Sequence, residues 1–142
     1  MYKITRKNRI REQLQLCNED GSVAINIPVD LNVDEIQGRA LKAMQELGRC
    51  QAEIRRDPKN PDTMETFGNA VISLFTVIFG EDGAKQILAF YEDNYTEMLV
   101  DVFPFITGEI LPKIAAASEA RKEQLMQTAR AAKQMRRHGF RR

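Results

Sequence analysis

The side chains that could do chemistry in this chain are few and poorly placed for it. His138 is the only histidine and sits in a basic C-terminal run, so neither a histidine general base nor a histidine-containing zinc site is expected. Cys17 and Cys50 lie far apart without CxxC spacing and read as two reduced thiols rather than a metal site or a bridge. The adjacent carboxylates Glu81 with Asp82, and Glu92 with Asp93, fall at expected helix boundaries, where capping and pairing with the helix dipole account for them. Asp57 and Asn60 suggest a calcium loop only until Lys59 and Pro61 interrupt the pattern and its glycine is found missing. No GxGxxG run occurs, nor GxxxxGK followed by Ser or Thr, and the glycines sit at helix ends and turns. The expectation is a protein that is not an enzyme and needs no cofactor or metal.

What remains is surface. Net charge is only +1, yet residues 1–11 carry five basic side chains and no acid, and residues 121–142 carry eight against Glu123 alone. The stretch between, 12–120, holds 8 basic and 19 acidic residues. Two basic ends flank an acidic body, which reads as solvated tails, as pairing with a neighbouring copy, or as contact with an anionic partner. The closing RRHGFRR has the basic-plus-aromatic make-up of a nucleic-acid arm, with Phe140 able to stack on a base. It is a short signal, and nucleic acid is the less favoured partner. The N-terminal MYKITRKNRIREQ is basic but lacks an apolar stretch and a small-residue cleavage site, so a secretory signal is not expected and a reducing cytoplasm fits.

The elements that position these groups follow from periodicity. With 142 residues, 43% of them hydrophobic and 29% charged, one globular domain is expected. Leu14 and Leu16, then Val23, Ile25, Ile27 and Val29, alternate across an Asp-Gly turn signal, giving a β-hairpin over 9–29 with Pro28 at an edge or a strand end. Asn32 with Glu35 opens a helix over 33–56, whose stripe Ile36, Ala40, Ala43, Leu47, Cys50 and Ile54 is widened by Leu41 and Met44. After the connector DPKNPD, Asp62 with Glu65 opens a second helix over 62–79.

That second helix, containing FGNAVISLFTVIFG, is apolar almost all round, broken only by Asn69, Ser73 and Thr76, as expected of a bundle's central helix or of one lodged in an interface. Spanning a bilayer takes about 20 consecutive apolar residues, so no membrane is expected. Gly80 ends it, and a short helix over 82–92 follows, carrying too many acids to read DNA. Asn94 with Glu97 opens a helix over 95–115, broken or bent by Pro104 and Pro112. Beyond it, 116–142 is a basic helical extension with only Leu125, Ala129, Ala132 and Met135 as an apolar stripe and a frayed last five residues. The fold class is mainly α (α+β): a β-hairpin, a small helical bundle over 1–115 and a long, proline-broken C-terminal helix.

This order of parts, with FGNAVISLFTVIFGEDGAKQIL at its centre, resembles the small tail assembly chaperones of long-tailed, siphovirus-type bacteriophages and prophages, over roughly residues 10–115. The resemblance implies a non-enzymatic role in the host bacterial cytoplasm: coating the tape measure protein, keeping it soluble, bringing tail tube protein to it, and leaving before the virion is complete. It also implies a homo-oligomer and, in many such chaperones, a longer frameshifted form. Under it, Phe67, Val71, Leu74, Phe75 and Ile78 with Ile87, Leu88 and Tyr91 would form the core and floor of a groove for an amphipathic helix. The tail would make contacts through Arg130, Lys133, Arg136, Arg137, Arg141 and Arg142. Two other readings stand beside it: a nucleic-acid-binding or regulatory helical protein using its basic termini, and a structural head–tail or tail-completion protein of the phage particle.

Overall fold

The computed structural model describes residues 1–5 and 9–138, the last of these by its backbone alone. Arg6, Lys7, Phe140, Arg141 and Arg142, together with the expected fraying of the last five residues, fall outside the described residues. The fold is mainly α with an N-terminal two-stranded hairpin and a long C-terminal helix, as the periodicities require.

Strands β1 (Arg9–Cys17) and β2 (Val23–Asn32) pair antiparallel, with Ile10 opposite Leu31 and Leu14 opposite Ile27. Alternation puts Ile10, Leu16, Ile27, Val29 and Leu31 on the buried face. Gly21, at φ 87°, closes the loop, where its N–H donates to the Asn18 carbonyl at 2.9 Å. Val23, expected to point inward, is 51% exposed, because a register irregularity at Leu16 and Cys17 puts the strand's first residue out of phase. Pro28 is neither first nor last in β2. It is tolerated there because each strand of a two-stranded sheet is an edge.

Helix α1 (Val33–Arg56) follows β2 directly. Asn32 caps it, accepting from the Asp34 N–H at 3.0 Å rather than from the amide of the expected partner Glu35. Ile36, Ala40, Leu47 and Cys50 are buried, whereas Leu41, read as widening the stripe, is 59% exposed. On the wet side Arg49 bridges Glu46 and Glu53.

Helix α2 (Pro61–Phe90) starts one residue earlier than the Asp62–Glu65 reading implies. Pro61 has no N–H to leave unsatisfied and takes the first helical position, so the cap falls to Asn60, whose side chain accepts from the Asp62 N–H at 3.0 Å. The two helices expected over 62–79 and 82–92 are the halves of α2, separated by a kink at Gly80, where φ 78° and ψ 171° are not helical. Twelve residues of α2 are buried, and its polar line emerges where expected: Asn69 and Ser73 are exposed and Thr76 is half-buried. Phe75 meets Phe79 edge-on at 5.7 Å, and Phe79 stacks on Phe105 at 6.1 Å. The hairpin seats at Gly83, where a Cβ would come within 3.2 Å of Ile27 Cγ2. Across the kink α2 is long and apolar enough to cross a membrane by length and composition, so interruption of the apolar run does not exclude that as expected. Half of the apolar window is nevertheless packed inside this fold, as in a core helix.

After α2 the chain turns through two left-handed residues, Glu92 and Asp93, and the Asp93 N–H returns to the Leu88 carbonyl at 3.0 Å. Helix α3 (Tyr95–Phe105) is capped by Asn94, which accepts from the Glu97 N–H at 3.1 Å while its side-chain amide donates to the Glu97 carboxylate. The interruption expected at the prolines takes a local form. A π-helical turn over Ile106–Ile110 joins α3 to α4 (Leu111–His138), and the course is helical throughout. Pro112 cannot donate to the Gly108 carbonyl and its ring would press on that group; widening the preceding turn, so that the Leu111 N–H reaches Ile106 instead, accommodates it. The wide turn also keeps Met98, Val102, Ile106, Ile110 and Ile114 buried at strict four-residue spacing. On an unbroken α-helix each such step would drift by about 40° around the axis.

The Gly80 conformation is open to almost no residue with a side chain, although a Cβ there would meet nothing within 4 Å. Gly80→Ala is therefore expected to lower the unfolding free energy by about 1–3 kcal/mol through backbone strain alone. The shift in denaturant midpoint at unchanged m-value measures it.

Candidate functional site

Of the eight residues expected to floor a docking groove, Phe67, Val71, Leu74, Phe75, Ile78 and Ile87 are buried at 7% exposure or less, and Tyr91 at 9%. Only Leu88 is part-exposed. All of the set but Leu88 therefore belongs to the buried core, to which β1–β2, α1 and α3 contribute, and Tyr91 lies at its edge. Of the tail residues, Arg130, Lys133, Arg136 and Arg137 are exposed on α4, whereas Arg141 and Arg142 lie outside the described residues.

The surface that the core leaves open has two parts. One is α4 itself. Its first turns are held to the body by Ile114, by the ion pair of Lys113 with Glu12, and by Arg121 with Asp34 at 3.1 Å. From Glu119 to Arg137 every residue is exposed, and Leu125, Met126 and Met135 are 64%, 45% and 57% exposed. Arg130, Lys133 and Arg137 recur at spacings of three and four and so share one face with Met126. None of these cations pairs with an acid among the described residues.

The other is a groove of about 550 Å³ between the tip of the hairpin, the end of α2 and α3. Its apolar lining comes from the part-exposed Leu14 and Phe90 over the buried Leu16, Tyr91 and Val102, with the Phe90 and Tyr91 rings edge-to-face at 5.1 Å, and polar atoms make up more of its surface than apolar ones. Its rim carries Glu19, Glu97 and Asp101 and no basic residue. Two clefts of similar size elsewhere mix the signs: one holds Arg9, Arg39, Asp30, Glu35 and Glu81, the other Asp34, Glu119, Arg121 and Lys122. Sequence reasoning missed this groove apart from Tyr91, because Glu19 and Asp101 meet only through the docking of the hairpin on α3, which no local pattern encodes.

Burial pushes the Tyr91 phenol up to about 12, with help from the nearby Asp101 carboxylate, to which its hydroxyl donates. Burial likewise raises the Cys50 thiol, which lies beside the Glu46 carboxylate, so it stays protonated at neutral pH. Cys17 is a free, exposed thiol on β1. Among the described residues no group of three or more His, Cys, Asp or Glu is placed to hold a metal ion.

No protein family, characterised protein or solved structure matches the chain.

Two measurements separate core from surface. Phe75→Ala is expected to cost about 3–5 kcal/mol of stability, as for a fully buried ring, while Leu125→Ala stays within about 0.5 kcal/mol for the isolated chain. Chemical denaturation reads both. For Tyr91, a folded-state value above the unfolded one means a contribution present below about pH 10 and lost as pH rises toward 12. Tyrosinate absorbance should show a late phase near pH 12 that Tyr91→Phe removes.

Proposed function

We propose that this chain is a non-enzymatic assembly chaperone of the phage-tail type: it binds the tape measure protein, keeps that long helical client soluble, helps recruit tail tube protein and associates with its own copies. It would act in the host bacterial cytoplasm and be absent from the mature particle. The observation that carries the interaction role is α4 beyond Arg121, a helix with half-exposed Leu125, Met126 and Met135 and no cover from its own chain. A helix so poor in bulky apolar residues gains its stability by lying against something else. The narrower reading, of a tail assembly chaperone, is supported by the sequence resemblance centred on residues 67–88 and by the agreement of the fold with the order of parts on which that resemblance rests.

The exposed Arg130, Lys133, Arg136 and Arg137 favour one competing reading, an arm for nucleic acid. Against it, the groove rim and the start of α2's second half are acidic. Co-expression with a tape measure protein, sought among the reading frames neighbouring this one, distinguishes the two. The chaperone reading expects the client to shift from the insoluble to the soluble fraction and to co-purify with the chain, with no retardation of DNA or RNA at modest salt. An unchanged insoluble client would count decisively against it. Detection of the chain in purified particles would instead favour a structural head–tail or tail-completion component.

A further inference from the structure

We propose that the α4 arm of one copy docks in the acidic groove at the hairpin tip of the next, so that the chain polymerises head to tail. The proposal rests on the self-association part of the reading above and not on the identity of any client.

The two surfaces match in chemistry. The arm presents Met126 among Arg130, Lys133 and Arg137 on one face, and residues 124–142 contain no acid. The groove offers the part-exposed Leu14 and Phe90 among polar groups, and its only charges are negative, from Glu19, Glu97 and Asp101. Sulfur-containing and aliphatic side chains cover the Phe90 and Tyr91 rings while the long cationic stems reach the rim. Arm-to-arm pairing is disfavoured by the same composition, because two helices lacking acids over their last turns repel.

Geometry excludes the arm of the same chain. Helix α3 borders the groove at Asp101, and the helical course then runs along the hairpin, past Lys113 at Glu12, to Arg121 at Asp34. Asp34 follows Asn32, which pairs with Arg9 at the end of the hairpin opposite its tip. The twenty residues from Asp101 to Arg121 carry the arm's root about 30 Å from the groove, pointing away from it. A stiff helix leaving at one end cannot return to the other, so the occupant comes from a second molecule. A contact between two different surfaces, with each copy offering both, does not close on itself as a two-fold dimer does.

Sedimentation velocity of the purified full-length chain, across concentration and salt, tests this. Wild type should form a ladder of species that shortens as NaCl rises to about 0.5 M, where exposed charges are screened. Two exposed charge-reversal variants are needed, each checked by circular dichroism for an unchanged fold: Glu19→Lys with Asp101→Lys in the groove, and Arg130→Glu with Lys133→Glu on the arm. Each alone should weaken association at least tenfold. Mixed together, the two variants complement each other at both contacts, wild-type arm with wild-type groove and reversed arm with reversed groove, so the mixture should regain the ladder that neither forms alone. A chain carrying all four reversals should regain the ladder. A monomer at every concentration, association indifferent to both variants, or a mixture that stays dissociated would overturn the proposal. Arm variants that lose only binding to a DNA oligonucleotide or to an acidic client while the ladder persists would do so as well. Solubility of the tape measure protein on co-expression is a separate readout, so loss of either result leaves the other interpretable.

Discussion

Every element of this fold answers to one demand, that α2 be covered on nearly all sides. A helix carrying Phe67, Val71, Leu74, Phe75, Ile78 and Phe79 has no single face that can be turned to water without loss, so one neighbour cannot satisfy it. The hairpin seats at Gly83, α1 lies along the helix, and α3 closes over it through Phe105 against Phe79. Between Phe67 and Phe79 only Asn69 and Ser73 are exposed, and the other wet positions of α2 lie toward its ends and past the kink. Because the apolar demand is met inside the chain, the surfaces left for other molecules lie at the ends of the body, the groove at the hairpin tip and the arm beyond α1.

The parts of the fold that are local in origin could be read from sequence. Alternation in VAINIPV produced β2, the side chains of Asn32 and Asn94 produced helix starts, and Gly80 produced the kink in α2. The errors are also local, and each has a physical reason. Asp62 was the better capping-box residue by pattern, but Pro61 fits only at the first helical position and moved the cap to Asn60. At Pro112 the reading left open a kink or a restart of the helix, since its missing donor conflicts with an unbroken α-helical turn. The widened turn over Ile106–Ile110 relieves the same conflict without ending the helix. A clue to that turn lay in Met98, Val102, Ile106, Ile110 and Ile114, whose unvarying spacing of four suits no straight α-helix facing one core.

The candidate site was much less legible. Reading α2 as both core and floor of a groove left open which of its sides a partner would meet, because which side is exposed depends on what packs against it. The rim residues Glu19 and Asp101 are far apart in sequence and ordinary in type, and only the tertiary placement of the hairpin makes them neighbours of Tyr91. The basic arm, by contrast, could be read at once, because an excess of one charge in a helix-forming stretch lacking bulky apolar residues is itself a statement that the stretch lacks a partner in its own chain.

The π turn before Pro112 sets more than the path of the chain. One residue more than an α-helical turn rotates everything downstream by about 100° about the helix axis relative to α3. It therefore fixes the compass bearing of the Arg130, Lys133 and Arg137 face with respect to the body. The same sequence with that turn wound as ordinary α-helix would keep the composition, the charge and nearly the reach, yet would present a different face of its arm.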